Sequence, residues 1–294
     1  MLDVYIKKTL LLIETALDNY FPKTPGIATK VHESMKYTLF SGGKRIRPLL
    51  MTLVAESFNN AVSKVYPFAC AVEFVHTSSL ILDDLPCMDN AALRRNKPAN
   101  HLVYGEDIAI LAAIGLLNHA YSIIANEINN VAHEKILHIL DLLTDAISIN
   151  GLVGGQSLDL LSKDKNIELT MLHYIHQHKT ASLFIAATDI SALLSNASNQ
   201  ERAAIREYSK AIGLAFQISD DLNDLLYTEK ELGKDTKKDI KSTTYVSFYG
   251  VTGACNMVNE LTEKAKHAIS ALIHNTELLI QLADTLKRKE SCHL

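Results

Sequence analysis

Residues 205–226 read IREYSKAIGLAFQISDDLNDLL. Within them Ile205, Tyr208, Ile212, Ala215 and Ser219 recur at steps of three and four, which stacks them on one face of an α-helix. Ile6, Leu10, Ile13 and Leu17 repeat that step near the start of the chain, and no comparable window alternates with period two. Glycine and proline are sparse, 12 and 6 among 294 residues, and gather at residues 21–26, at 41–43, around Pro86 and Pro98 and at 151–155. A further break is expected in the lysine-rich residues 230–241. An all-β chain needs turn residues about every ten positions, so this spacing of breaks predicts long helices. No low-complexity linker and no fixed-period repeat divides the chain. The expected fold is all-α, a single-domain helical bundle over residues 1–294.

Composition narrows the partners. Hydrophobic residues make up 48% and charged residues 21%, enough apolar material for a substantial core. The 33 acidic and 29 basic side chains leave a net charge of -4, with no long basic run, which argues against nucleic acid as a partner. Cys70, Cys87, Cys255 and Cys292 lie far apart and form no C-x-x-C pair, so neither a zinc site nor a disulfide framework is expected. The N-terminal apolar run is interrupted by Glu14, unlike a secretory signal. The longest apolar stretch, residues 108–117, is about half of the ~20 residues a membrane span requires. A soluble, cytoplasmic protein without a membrane span is expected.

The opening stretch ends in carboxylates. At about 100° per residue Asp220 and Asp224 lie one turn apart on one face, where they can share a cation and would repel without one. A second cluster, LILDDLPCMDNAALRRNKP at residues 80–98, sets Asp83, Asp84 and Asp89 at the end of an apolar helix, with Arg94, Arg95 and Lys97 close behind. Carboxylates there are costly unless cations neutralise them, their hard oxygens suit magnesium, and the arginines suit phosphate. Six residues leave Asp83 and Asp89 on different sides of an ideal helix. Pro86 is expected to break the ladder and let the chain bulge, bringing the two together. One Asp-Asp pair alone would more often be a solvated turn; the case rests on what surrounds it.

The two clusters resemble the first and second aspartate-rich motifs of the trans-prenyl diphosphate synthases, the farnesyl and geranylgeranyl diphosphate synthase family. SGGKRIRP at residues 41–48 is similar to that family's isopentenyl diphosphate loop, and EFVHT at 73–77 to the segment before the first motif. GLVGGQSLDL at 151–160, HKTASLF at 178–184 and GKD at 233–235 follow in family order. The resemblance implies an isoprenoid-synthase bundle around a deep central cavity, and a homodimer. By matching positions it implies that Lys44, Arg47, His76 and Arg95 hold the diphosphate of isopentenyl diphosphate. Arg94, Lys179, Thr180, Gln217, Lys234 and Lys241 would face an allylic diphosphate. Asp83, Asp89 and Asp220 would ligate magnesium, three ions with substrate bound, supported by Asp84, Asp159, Asp224 and Asp235. The catalytic set so implied is Asp83, Asp84, Asp89, Arg94, Lys179 and Asp220.

The chemistry accounts for two carboxylate clusters. Breaking the allylic C–O bond leaves a carbocation, and the departing diphosphate gathers negative charge that metal ions and cationic side chains stabilise. The double bond of isopentenyl diphosphate attacks the cation, and the resemblance implies that the departed diphosphate takes the last proton. Water would capture the cation, so the site must be dry. In the resembling family the product stops growing against side chains on the helix before the first motif. That floor here is Ser78 and Ser79. Ser78 stands five residues before Asp83, about 7.5 Å along a helix, where farnesyl-producing relatives usually carry an aromatic. The small floor, the inserted Pro86 and Cys87, and Leu82 in place of histidine favour geranylgeranyl diphosphate (C20) over farnesyl diphosphate (C15), unless Phe74 or a side chain near Ile114 plugs the cavity. Asn96 in place of a glycine and Val246 in place of a proline depart from the family without removing a proposed ligand.

Three other readings fit less well. A terpene cyclase has no use for the SGGKRIRP loop, and a non-catalytic partner subunit would have lost its aspartates. A di-iron or metal-storage bundle needs Glu-x-x-His pairs on facing helices, and Glu134 directly follows His133.

Overall fold

The computed structural model describes residues 2–23, 26–163, 165–226 and 243–288. Its helices are α1 (Leu2–Tyr20), α2 (Thr29–Leu39), α3 (Ile46–Ser57), α4 (Tyr66–Asp83), α5 (Asn100–Tyr104), α6 (Glu106–Asn126) and α7 (His133–Ile147). They continue with α8 (Leu152–Ser162), α9 (Leu169–His176), α10 (Ser182–Leu194), α11 (Asn199–Leu226), α12 (Tyr245–Ile269) and α13 (Glu277–Asp284). The only strands among the described residues, β1 (Leu93–Arg94) and β2 (Lys97–Pro98), form a two-residue antiparallel ribbon. The molecule is all-α, as its helical periodicity implies.

The stretch at residues 205–226 lies wholly within α11, and Ile205, Tyr208, Ile212, Ala215 and Ser219 are all buried. The centre of the core is α4, whose Phe68, Cys70, Val72, Phe74, Val75 and Ile81 are buried on several sides. A helix apolar all round belongs inside. Against it lies α6, whose buried stripe is made largely of alanines, Ala109, Ala112, Ala113 and Ala120, and these allow the two backbones close approach. One cluster of buried apolar side chains runs from Leu2 to Ala283, so the first and last described helices close on the same interior.

Two details differ from the sequence reading. The expected break at residues 151–155 is confined to Gly151, the N-cap of α8, and Gly155 lies inside that helix. The expectation of no stretch long enough to span a membrane counted only unbroken apolar residues. By length and composition Glu106–Asn129 and His133–Ser162 both qualify. The first, however, spends its buried face on α4 within the core.

Candidate active site

Helix α4 ends at Asp83, earlier than the proline, and Pro86 is exposed in the loop that follows. The bulge expected around Pro86 is therefore a return loop: the Asp89 N–H donates to the Asp83 carbonyl at 2.9 Å and the Ala91 N–H to the Asp84 carbonyl at 3.2 Å. This folding back brings Asp89 beside the end of α4. Burial pushes the Asp83 carboxyl up to about 6, with Lys179 and Arg94 opposing the rise and Asp89 and Asp84 adding to it. Asp84 turns away from the cavity and is buried, with Arg94 Nε donating to its two oxygens at 3.0 and 3.2 Å and Arg94 Nη2 also bonded to it. Lys163, the C-cap residue of α8, donates to Asp89 Oδ1 at 2.8 Å and to the Met88 carbonyl at 2.9 Å.

The ribbon after this loop aims two neighbouring arginines in opposite directions. While Arg94 reaches Asp84, Arg95, in the left-handed conformation at φ 54, lies 3.9 Å from Glu73 and 3.4 Å from the Thr38 carbonyl. Asn96 is left-handed too, at φ 61, which accounts for a position that accepts glycine or asparagine. Gly43 passes so close that a Cβ there would lie 2.7 Å from the Arg95 guanidinium carbon.

Beneath that loop lies a buried ion-pair network. Arg45, at φ 47, donates to Glu14 Oε1 at 2.7 Å, to Glu73 Oε1 at 2.9 Å and to the Leu39 carbonyl at 2.5 Å. Arg47 stacks over the Phe184 ring at 4.5 Å, and Lys44 lies 5.3 Å from the Phe216 ring. Burial lowers the Arg47 guanidinium to about 10, Glu73 opposing and Arg95 adding to the shift. His76 is held well below its usual value by burial and then by the fields of Arg47, Arg95, Arg94 and Arg45, so it is a neutral imidazole among cations. Glu73 and His76 do stand at Glu-x-x-His spacing, a pair the sequence reading passed over. Glu73 is committed to Arg45 and Arg95, so this pair is no half of a di-iron centre.

Across the cavity the chain makes one π-helical turn at residues 177–181, the wider i→i+5 turn often found at functional sites. The extra residue lets Lys179 and Thr180 line the cavity while Leu183 and Phe184 stay in the core. Lys179 Nζ donates to Asp159 Oδ2 at 2.6 Å; burial opposes its charge, but Asp159, Asp83 and Asp89 raise its pKa on balance. Thr180 Oγ1 donates to Gln217 Oε1 at 2.9 Å, and Gln217 Nε2 to Asp221 Oδ1 at 3.0 Å, which ties the π turn to α11.

These elements enclose a cavity of about 470 Å³. Of the residues named from the sequence, Lys44, Arg47, His76, Ser79, Asp83, Arg94, Arg95, Lys179, Thr180, Gln217 and Asp220 line it. Asp84, Asp89 and Asp159 stand behind or beside its wall through the ion pairs described, and Asp224 lies one turn past Asp220 on α11. Ser78 is buried facing α6, its hydroxyl donating to the Ala113 carbonyl at 2.8 Å, and it is not among the cavity-lining residues. Lys234, Asp235 and Lys241 fall outside the described residues.

The pattern of the polyprenyl synthetase family matches residues 28–279. The chain belongs to the polyprenyl synthetase family. It is 40% identical over 290 residues, 98% of this chain and 96% of the relative, to a geranylgeranyl diphosphate synthase of Cyanophora paradoxa. It is 37% identical over 287 residues, 97% and 96% of the two chains, to the farnesyl diphosphate synthase of Bacillus subtilis. The solved geranyltransferase of Helicobacter pylori, complexed with magnesium and isoprenyl diphosphate, superposes with a TM-score of 0.85 at 29% identity, covering 96% of this chain and 95% of that one. The chain is a short-chain prenyl diphosphate synthase, a prenyltransferase.

The donor set fits the magnesium such synthases use. Asp83 and Asp220 line the cavity, and Asp89 is folded back beside Asp83. That suits an ion which dehydrates reluctantly and is held by one or two carboxylates together with substrate phosphates. Inside the cavity the Arg47 Nε and both amide atoms of Gln156 are buried without a hydrogen-bond partner, as expected of groups that meet a polar ligand.

Sequence reasoning missed several residues. Gln156 was quoted only within a motif, and Arg45 was hidden among three cations of one loop. Glu73 did carry a signal, a lone charge inside an apolar helix. Arg288 gave none: its guanidinium donates to Asn223 Oδ1 at 2.9 Å and to the Ser219 carbonyl at 3.2 Å, where it walls an adjoining cavity of about 260 Å³ shared with Lys44 and Asp220.

Proposed function

We propose that this synthase makes geranylgeranyl diphosphate, by magnesium-dependent ionisation of an allylic diphosphate and head-to-tail condensation with isopentenyl diphosphate. The observation that carries the reading is a single cavity whose walls bring a set of cationic side chains together with the carboxylates Asp83 and Asp220. On this reading Lys44, Arg47, His76 and Arg95, which line the cavity, form one anion site, and Arg94 and Lys179, which line it too, form the other. The first group holds isopentenyl diphosphate as a dianion or trianion without any side chain donating a proton to carbon. The second holds the allylic diphosphate against Asp83, Asp89 and Asp220, with Asp84, Asp159 and Asp224 orienting the cations around them. Three magnesium ions bound with substrate supply charge stabilisation of the leaving diphosphate. Thr180 and Gln217, already bonded to each other, line the path of the developing cation with oxygen lone pairs. Leu80, Leu152 and Phe216 keep water from it.

Support for a C20 product comes from relatives named geranylgeranyl synthases and from the small residues Ser78 and Ala113 where α4 meets α6. Phe74, one turn deeper, is engaged with Phe21 and His119. The Bacillus subtilis relative supports the second reading, a farnesyl product. The test is to incubate the protein with magnesium, labelled isopentenyl diphosphate and farnesyl diphosphate, and to separate the dephosphorylated products by length. Geranylgeraniol is expected, and Ser78→Phe should shift the product to farnesol when geranyl diphosphate is the primer. Farnesol alone from the unaltered protein overturns the C20 assignment, and no elongation of any primer favours a non-catalytic partner subunit. We further infer one catalytic unit over residues 1–294, acting as a cytoplasmic homodimer. The continuous core, the free Cys70 and Cys87, and the exposed apolar face of α6 support this.

A further inference from the structure

Helix α8 makes a pair of crossed contacts with the site. Asp159 and Lys163 stand four residues apart, and so on one face of the helix end. Asp159 takes the ammonium of Lys179, which the proposed function assigns to the allylic diphosphate, at 2.6 Å. Lys163 gives its own ammonium to Asp89, which that reading assigns to magnesium, at 2.8 Å. One helix turn therefore supplies a carboxylate to the cation that should meet phosphate, and a cation to the carboxylate that should meet metal. The Lys163 ammonium also caps the Met88 carbonyl, so it grips the return loop at two points.

We propose that Lys163 is a positioning residue that stands in for the metal at Asp89 until substrate arrives, and that α8 keeps the ligand-free site self-neutralised through these crossed pairs. Entry of a magnesium diphosphate exchanges both pairs at once: phosphate oxygens replace Asp159 on Lys179, and the metal replaces Lys163 on Asp89. The Lys163–Asp89 pair suits such an exchange. Its side chains are 38% and 32% exposed, so water screens the attraction and a divalent ion competes with it easily. The Arg94–Asp84 pair differs: Asp84 is 1% exposed and held by a fork, which marks a fixed strut.

The inference rests on the assignment of Asp89 to magnesium, and the test separates the two. Manganese(II) is titrated into the protein, alone and with geranyl diphosphate but no isopentenyl diphosphate, and the free ion is followed by its electron paramagnetic resonance signal. Lys163→Met, which keeps the aliphatic stem, should bind manganese about two- to fivefold more tightly than the unaltered protein, as expected for removal of an exposed ion pair. Lys163→Arg should bind as the unaltered protein does. In the unaltered protein, manganese with geranyl diphosphate should also speed amide exchange at Lys163 and at residues 165–168 as the tether lets go. Equal or weaker manganese binding by a folded Lys163→Met protein overturns the stand-in role while leaving the synthase reading intact. Failure of the unaltered protein to take up manganese even with geranyl diphosphate overturns both.

Discussion

Arg45 lies between two carboxylates and a carbonyl with no exposed side-chain surface, and Glu73 beside it is equally enclosed. Removing one partner of a buried pair strands the other, so Arg45→Met should cost about 3 kcal/mol of unfolding free energy in a urea titration. Arg45→Lys should recover little, because an ammonium cannot span three acceptors in one plane. His176 gives a pH signature. Burial, partly offset by Asp159 and reinforced by Lys179 and His173, lowers it to about 4, and both ring nitrogens are buried without a partner. The unfolded chain takes up this proton near pH 6.5 and the folded chain only near 4. Stability from this group is therefore full above pH 6.5 and is lost as the pH falls from 6.5 towards 4, by up to about 1.4 kcal/mol per pH unit. His176→Phe should flatten that part of the stability–pH curve. At this scale the sequence was legible where residue type announces chemistry, as with Asp83, Asp220, Arg94 and Lys179. It was silent on direction: nothing in the sequence announces that the Ser78 hydroxyl bonds to the Ala113 carbonyl of α6.

Among the elements, α8 and the π turn control one another's position. A Cβ on Gly155 would lie 2.2 Å from the Lys179 backbone nitrogen, a clash with backbone that no rotamer relieves. Gly155→Ala should lower the melting temperature and, by displacing Lys179, reduce kcat about tenfold or more with geranyl diphosphate as primer. A change confined to the melting temperature would show that the turn's position does not matter to catalysis. Helices α1 and α11 were readable because their apolar residues keep one period over several turns. The π turn was not, since HKTA contains nothing that distinguishes a five-residue turn from an α one. Its existence depends on the glycine-lined approach of α8, a contact between residues more than twenty positions apart. The return loop at residues 85–90 was half legible: Pro86 signalled interruption, while the hydrogen bond from Asp89 to Asp83 decided its course.

For the whole molecule, the face of α6 turned away from α4 carries Ile110, Leu111 and Ile114, exposed at 39%, 50% and 56%, with Leu102 and Val103 of α5 beside them. A contiguous apolar patch on a charged protein marks a contact surface. A dimer should be found by sedimentation, and Leu111→Glu combined with Ile114→Glu should yield monomers. A monomeric unaltered protein would rule out this face as the joint. All-α architecture was readable because composition and breaks act over the full length, whereas which helix faces meet was not, since α6 is apolar nearly all round. The two-residue ribbon carries a last consequence. The proposed function gives Arg94 and Arg95 different anions, yet they are joined by one peptide unit, about 3.8 Å from Cα to Cα. Covalent geometry, which heat and mutation elsewhere cannot stretch, thus acts as the gauge block between the two substrates. Breathing of the bundle would loosen the substrates' tails while leaving the backbone anchors of the two arginines at that spacing.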